Sequence, residues 1–380
     1  MKQKPTVLIC GTGFAGQGHT QAFRYAGADV VGIVGRTESV VRDVAKKLGI
    51  PYAGLDWEQA LRDCQPDIVS IGTPGGAHVE PIKQAIESSC HVFCDKPLTE
   101  SGESARELYE LAVAKGVKTA FAASFRYMPE VLHAKQLVAD GAIGEPLEVE
   151  SISHFNLERY IPFGWSHRKD TGGGRLNNNF THILSIVTSV IGEKILAVNG
   201  EVRNDMRVAP IVEGVHNFKT RRDFIPDDIN DPAIKWGETD VEWSYTVLVQ
   251  LESRYPAKSP VSVLCKHGGL HPRFNEDHIA FYGSEGSIYI KGHYGSGPLY
   301  LHDDGKEWRE VPLPDAIASS VPDIADDTQR NWTYLASEFV KDIQGTPVAP
   351  YQTFKDGSLY QQIIDVIRKN DGWVDVRHLQ

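Results

Sequence analysis

Cysteine is scarce in this chain: Cys10, Cys64, Cys90, Cys94 and Cys265 are all there are in 380 residues. An odd, sparse set excludes a disulfide framework and leaves reduced thiols as the expectation. Cys90 and Cys94 are close, but no second Cys or His pair follows at zinc-site spacing, so no metal is expected. Long apolar runs are missing too. Nothing approaches the roughly 18 uninterrupted apolar residues of a membrane helix, which argues against a membrane partner. Met1 to Cys10 lacks the apolar region and small-residue cleavage site of a signal peptide, so a cytoplasmic home is expected. Basic charge is also short. With 39 Lys+Arg against 50 Asp+Glu the net charge is −11, the wrong sign for a nucleic-acid partner. There is no internal repeat and no low-complexity segment.

What is present is a globular composition, 41% hydrophobic and 23% charged, over a length that suits two or three domains. Through residue 122 short apolar runs alternate with helical spacing. Val7–Cys10, Asp29–Val34, Asp67–Ile71, His91–Cys94 and Lys118–Ala122 read as strands. His19–Tyr25, Ser39–Leu48, His78–Glu87 and Ser101–Lys115 read as helices, with Gly49 and Gly116 as stops and Thr99 as an N-cap. Such alternation means βαβ units and a doubly wound parallel sheet, an α/β domain over residues 1–123. Residues 124–380 read as an α+β domain on a large, mainly antiparallel sheet. Its helices are Pro129–Ala139, Gly174–Ile191, Thr328–Ile343 and Gly357–Arg368. Its strands include Leu147–Phe155, Val241–Leu251, Val261–Cys265, His278–Tyr282 and Ser287–Ile290. Met206–Thr239, rich in Pro, Asp and Asn, reads as a long excursion or surface loop, a lid or an oligomer arm.

Gly11-Thr12-Gly13-Phe14-Ala15-Gly16 is G-x-G-x-x-G between the first strand and the first helix. Gly11 permits the tight turn, Gly13 admits a pyrophosphate to the backbone, and Gly16 lets helix and strand pack closely. A dinucleotide cofactor is therefore expected. The second strand ends in Gly35-Arg36-Thr37, with no carboxylate before Glu38. Arg36 suits an adenosine 2′-phosphate and Thr37 offers a hydroxyl, so NADP is preferred over NAD. Thr73-Pro74 ends the strand Asp67–Ile71 at the same sheet edge, and His78 is assigned to the cofactor lining. Asp95-Lys96-Pro97 follows the strand His91–Cys94. A lysine there, desolvated beside a nicotinamide, would have the lowered pKa that a proton shuttle needs.

These motifs together resemble the glucose–fructose oxidoreductase, inositol dehydrogenase and rhizopine-catabolism (Gfo/Idh/MocA) oxidoreductases. The likeness continues through Phe125-Arg126-Tyr127-Met128-Pro129, Gly141-Ala142-Ile143-Gly144, Trp165, Arg168, Gly172-Gly173-Gly174-Arg175-Leu176 and His182. It reaches Tyr282-Gly283-Ser284-Glu285-Gly286-Ser287-Ile288. The resemblance implies a Rossmann domain and a sheet domain that forms a homodimer or homotetramer. It implies hydride transfer between the nicotinamide and a carbinol or carbonyl carbon of a sugar, inositol or related polyol. Lys96 and His182 would be catalytic, and Asp95 and Pro97 would shape the nicotinamide pocket. Arg126, Trp165 and Arg168 would border cofactor or substrate, with Tyr127 on the substrate side.

One position departs from that pattern. Where many members carry an aspartate four residues before the histidine, this chain has Asn178. Spacing i, i+4 still puts Asn178 and His182 over one cleft. An amide can neither act as a base nor fix an imidazole tautomer, so Lys96 or His182 must move the proton while Asn178 binds a substrate hydroxyl. Phe180 replaces a usual small residue, and the two changes suggest an altered substrate or lost activity. His154, Asn156, Tyr160, Trp165, His167 and Arg168 are further candidates for a sugar-facing wall. Two other classes share such a fold: NAD-dependent glycosidases using transient oxidation, and non-catalytic dinucleotide sensors.

Overall fold

The apolar run after Pro5 becomes a fully paired inner strand in the computed structural model, which describes residues 4–215, 220–272, 277–303, 307–369 and 371–380. That strand, β1 (Thr6–Cys10), leads into α1 (Phe14–Tyr25), β2 (Asp29–Val34), α2 (Glu38–Leu48), β3 (Tyr52–Gly54) and α3 (Trp57–Cys64). Then come β4 (Ile68–Ile71), α4 (Val79–Glu87), β5 (His91–Asp95), α5 (Gly102–Lys115) and β6 (Thr119–Ala122). The six strands pair in parallel in the order β3-β2-β1-β4-β5-β6. The order reverses between β1 and β4, which opens a crevice at their carboxyl ends.

Boundaries follow local chemistry. Gly49 and Gly116 close α2 and α5 in the left-handed conformation, as expected. Thr99 does not cap α5. Ser101 does, accepting from the Ser104 N–H at 3.3 Å, while the Thr99 hydroxyl donates to the Ser101 carbonyl at 2.6 Å. A serine nearer the helix thus takes the capping role. The sequence pattern passes over β3 and α3 because β3 is three half-exposed residues with no apolar run; Asp56 caps α3 through the Glu58 and Gln59 N–H groups.

The second half opens with α6 (Pro129–Ala139), β7 (Pro146–His154), α7 (Thr181–Val190) and β8 (Lys194–Arg203). Then follow β9 (Val208–Pro210), β10 (Trp236–Glu238), β11 (Ser244–Glu252), β12 (Val261–Gly268), β13 (His278–Gly283), β14 (Gly286–Lys291), β15 (Leu299–Asp303) and β16 (Arg309–Glu310). The chain closes with α8 (Asp315–Ala318), α9 (Asp327–Ile343), α10 (Phe354–Lys369) and β17 (Val374–Asp375). Nine strands form one sheet, β16-β15-β14-β13-β7-β12-β11-β8-β17, in which only the β7–β12 neighbours run parallel. Along β11 and β14 side chains alternate between core and outer face, the period of a sheet covered on one side.

Every residue of α7 is buried, so this apolar helix is the wedge between the two halves. Ser185 donates to the Ala123 carbonyl at 2.8 Å, tying α7 to the end of β6. The last two long helices turn back to the first sheet: α9 packs on α1 and α10 on α5. The 206–239 excursion is partly ordered. Trp236 to Glu238 pair with Pro210 to Val208, and Met206 and Ala209 join Ile161, Val241, Trp243 and Leu270 in a small separate core. Its residues 216–219 lie outside those described.

Candidate active site

The glycine loop after β1 has a steric reason for each glycine. Gly11 has φ +118°, and a Cβ there would stand 2.7 Å from the Gly72 carbonyl oxygen. A Cβ on Gly16 would meet the Gly11 carbonyl oxygen at 1.9 Å, whereas one on Gly13 would meet nothing within 4 Å. Gly11 and Gly16 therefore close the turn against its neighbours, and Gly13 faces open space. The first turn of α1 carries no acidic side chain, so its free N–H groups face that space with their dipole unopposed. This cradle fits a dinucleotide pyrophosphate.

The open space belongs to a cavity of about 880 Å³ that runs along the carboxyl ends of the parallel strands and under α7. Of the residues singled out in the sequence, Gly11, Thr12, Gly13, Phe14, Ala15, Gly35, Arg36, Thr37, Thr73, Pro74, Asp95, Lys96, Pro97, Trp165, Arg168, Asn178 and His182 line it. Arg36 and Thr37 are exposed at one end, where Glu38 is turned away into a 2.6 Å pair with Arg42. Arg168 is paired with Asp170.

Several expected residues are not brought to this wall. Gly16 packs beneath the loop. The buried His78 ring stands behind the lining, between the carbonyls of Thr73 (2.7 Å) and Leu98 (3.1 Å), and staples two strand ends together. Arg126 is buried 3.8 Å from Glu193, and Tyr127 stacks on Tyr334 with ring centroids 4.8 Å apart. Both point away because the short turn holding them presents Ser124 and Phe125 to the cavity instead. His154 packs against Gly268 of β12, and the Tyr160 ring meets Trp236. His167 is buried under Phe163 and Trp243. None of these three was separable by pattern, since strand register and loop path decide which way each points.

At the inner end Lys96 and His182 face one space. Burial lowers the Lys96 pKa; the Asp95 carboxylate opposes this and the Arg175 guanidinium adds to it. Burial pushes Asp95 up to about 6 against the pull of Lys96. His182 is held well below the imidazole range by burial, then by Lys96 and Arg175, and its Nδ1 has no hydrogen-bond partner. It is a neutral ring with a spare polar atom. Leu176–Phe180 forms a single π-helical turn ahead of α7, and this turn carries Asn178. Such turns are rare and recur at functional sites.

The sequence reading did not reach Arg175 or Tyr294 as site residues. Arg175 is buried in the turn that precedes Asn178; its Nε donates to His267 Nε2 at 2.9 Å, and its Nη1 donates to Asn178 Oδ1 at 3.2 Å. A charged residue opening an otherwise uncharged helical stretch was the available signal. Tyr294 left none: it sits beyond β14 at φ +56°, and its ring packs on Phe125 (4.4 Å) and His182 (5.2 Å). Trp332 of α9 and Thr328 close the cofactor side of the cavity from the far end of the chain.

All five cysteines are free, and among the described residues no group of three His, Cys, Asp or Glu could hold a metal ion. No described helix is long and apolar enough to cross a membrane.

Comparison with known proteins gives two family matches. Residues 6–123 match the oxidoreductase family with an NAD-binding Rossmann fold, and residues 131–289 match the GFO/IDH/MocA C-terminal domain. The levoglucosan dehydrogenase of Pseudarthrobacter phenanthrenivorans is 25% identical over 224 residues, 56% of this chain and 57% of that relative's length. An uncharacterised oxidoreductase of Schizosaccharomyces pombe is 23% identical over 335 residues, covering 88% of this chain and 86% of that protein. A solved structure of levoglucosan dehydrogenase, in complex with NADH and L-sorbose, superposes with a TM-score of 0.82 at 22% identity. It covers 99% of this chain and 100% of its own, so the whole fold is shared.

Proposed function

This chain belongs to the Gfo/Idh/MocA oxidoreductase family, and we propose from that premise that it moves hydride between a nicotinamide and a sugar or related polyol, with Lys96 as the proton carrier. The observation that carries the reading is Lys96 itself, a desolvated amine on the same cavity as the glycine cradle. The dinucleotide, when bound, supplies the hydride acceptor or donor at its nicotinamide ring.

The chain's own groups do the rest. In the oxidative direction the neutral Lys96 amine takes the hydroxyl proton as the C–H bond breaks; in reduction the ammonium returns it. Burial lowers the Lys96 pKa and so favours the neutral amine in that exchange. His182, already neutral, suits binding of a substrate hydroxyl better than storing a proton. Trp332 and the α9 end exclude water from the cofactor side. Arg36 favours NADP, a reading supported by the diversion of Glu38, the nearest carboxylate, into its pair with Arg42. The sheet face not covered by helices is our candidate for a homodimer or homotetramer contact, and a cytoplasmic setting completes the proposal.

Lys96→Ala tests it. Turnover should fall by roughly a hundred- to ten-thousand-fold while dinucleotide affinity stays within a few fold. Full activity in that variant would remove Lys96 from the mechanism.

A further inference from the structure

Two hydrogen-bond donors at the inner end of the cavity, on Asn178 and Tyr294, have no acceptor among the described residues. Asn178 shows this most clearly. Arg175 can only donate, so the carboxamide oxygen must face the guanidinium at 3.2 Å, and the Nδ2 amine is left on the cavity side. That amine has no acceptor among the described residues. Tyr294 is similar: its hydroxyl oxygen accepts from Asn179 Nδ2 at 3.0 Å, so its own proton is free to donate. Lys96 adds a third donor. The carboxylate on this wall is Asp95, which accepts from the Lys96 backbone N–H and from Trp332 and keeps one oxygen, Oδ1, without a partner.

The charges are also unbalanced. Arg175 is buried, makes no ion pair among the described residues, and has an Nη2 with no hydrogen-bond partner among them. Its contacts are His267, Asn178 and the Phe155 ring, which lies 4.8 Å beneath the guanidinium. Glu242, the nearby buried carboxylate, is spent on Arg368 at 3.1 Å. Arg175 therefore stands behind Asn178 as a buried cation without a carboxylate of its own among the described residues, and an unpaired buried charge is costly until something neutralises it. A neutral polyol brings no charge to set against the guanidinium, whereas a carboxylate does.

We infer that the substrate is a sugar acid, whose carboxylate accepts from Asn178 Nδ2 and the Tyr294 hydroxyl in the field of Arg175. The two wall donors match the two oxygens of a carboxylate. Arg175 acts through Asn178 as a positioning residue: it fixes the amide's polarity and supplies the charge. This inference rests on the oxidoreductase reading above. The carbinol carbon gives up a hydride to the nicotinamide and its hydroxyl proton passes to Lys96, yielding a ketone or lactone; the carboxylate is unchanged.

The test uses the full-length enzyme with NADP⁺ and with NAD⁺. D-glucuronate is compared with D-glucose, D-galacturonate with D-galactose, and D-glucose 6-phosphate serves as the phosphate arm. At least one uronate should exceed its aldose in kcat/KM by about tenfold or more, the effect of a hydrogen bond to a charged group. Arg175→Met should close that gap mainly through KM, with dinucleotide affinity unchanged, and Arg175→Lys should restore part of it. Asn178→Leu gives the same readout should Arg175→Met not fold. Aldoses used as well as uronates would overturn the sugar-acid inference and leave the oxidoreductase reading intact. Preference for the 6-phosphate would overturn it in favour of a phosphate ligand. Dinucleotide binding with no oxidation of any of these sugars would sink both.

Discussion

Lys96 is where neighbouring charges compete over one amine. Asp95 holds its pKa up while burial and Arg175 push it down. The base form in oxidation is the neutral amine, so activity should rise with pH through the Lys96 pKa. Removing the carboxylate with Asp95→Asn removes the group that favours the ammonium; the acid limb of the kcat/KM profile should then move to lower pH. An unmoved or raised limb would mean that another group sets it. At this scale legibility followed sequence neighbourhood. Asp95-Lys96-Pro97 and the glycine loop are contiguous, and each position's chemistry can be read off its strand end. Tyr294 reaches the same space only because the segment after β14 folds over Phe125. No local pattern marks such a contact. Tyr127 shows the converse, adjacent in sequence to Phe125 yet turned to Tyr334.

Elements were more legible than side chains, for a physical reason. Strands buried on both faces, such as β1 and β4, are mostly apolar, and the helices between them need one apolar stripe. Where burial is partial the signal fades, as in β3. The π-helical turn at Leu176–Phe180 gives no periodic signal because it adds a residue to a single turn. The loop glycines separate two roles that a motif merges. Gly16→Ala forces a methyl onto a backbone oxygen at 1.9 Å and should destabilise the fold by at least about 1–3 kcal/mol. Gly13→Ala has room, so thermal stability should hold while dinucleotide affinity drops; equal effects of the two in a melt and a binding titration would refute the distinction. On α9, Trp332 packs against Phe14 at 5.1 Å and His19 at 4.9 Å, so Trp332→Ala should lose about 3–5 kcal/mol in a urea melt.

For the whole molecule, buried histidines set a pH boundary. Burial holds His19 down at about 3 and His167 at about 4, with His182 and His267 also well below 6.5. The unfolded chain binds protons at these rings before the folded one does. Stability is thus fully present above about pH 6.5 and falls as pH drops from there toward 4. The slope is about 1.4 kcal/mol per pH unit for each such histidine. Asp95, Glu130 and Asp356, held above their ordinary range, act in the opposite sense but are fewer. A urea midpoint that stayed level from neutrality down to pH 5 would contradict this balance. The central claim, that these elements assemble one redox cavity, has a more direct test. Purified protein would be titrated with NADPH and NADH by fluorescence, then given a panel of sugars, sugar acids and inositols while the nicotinamide absorbance is followed. The account predicts tighter binding of NADPH and net turnover on at least one carbohydrate. Tight binding with no absorbance change on any would contradict it, leaving a glycosidase-like cycle with no net redox turnover or a dinucleotide sensor.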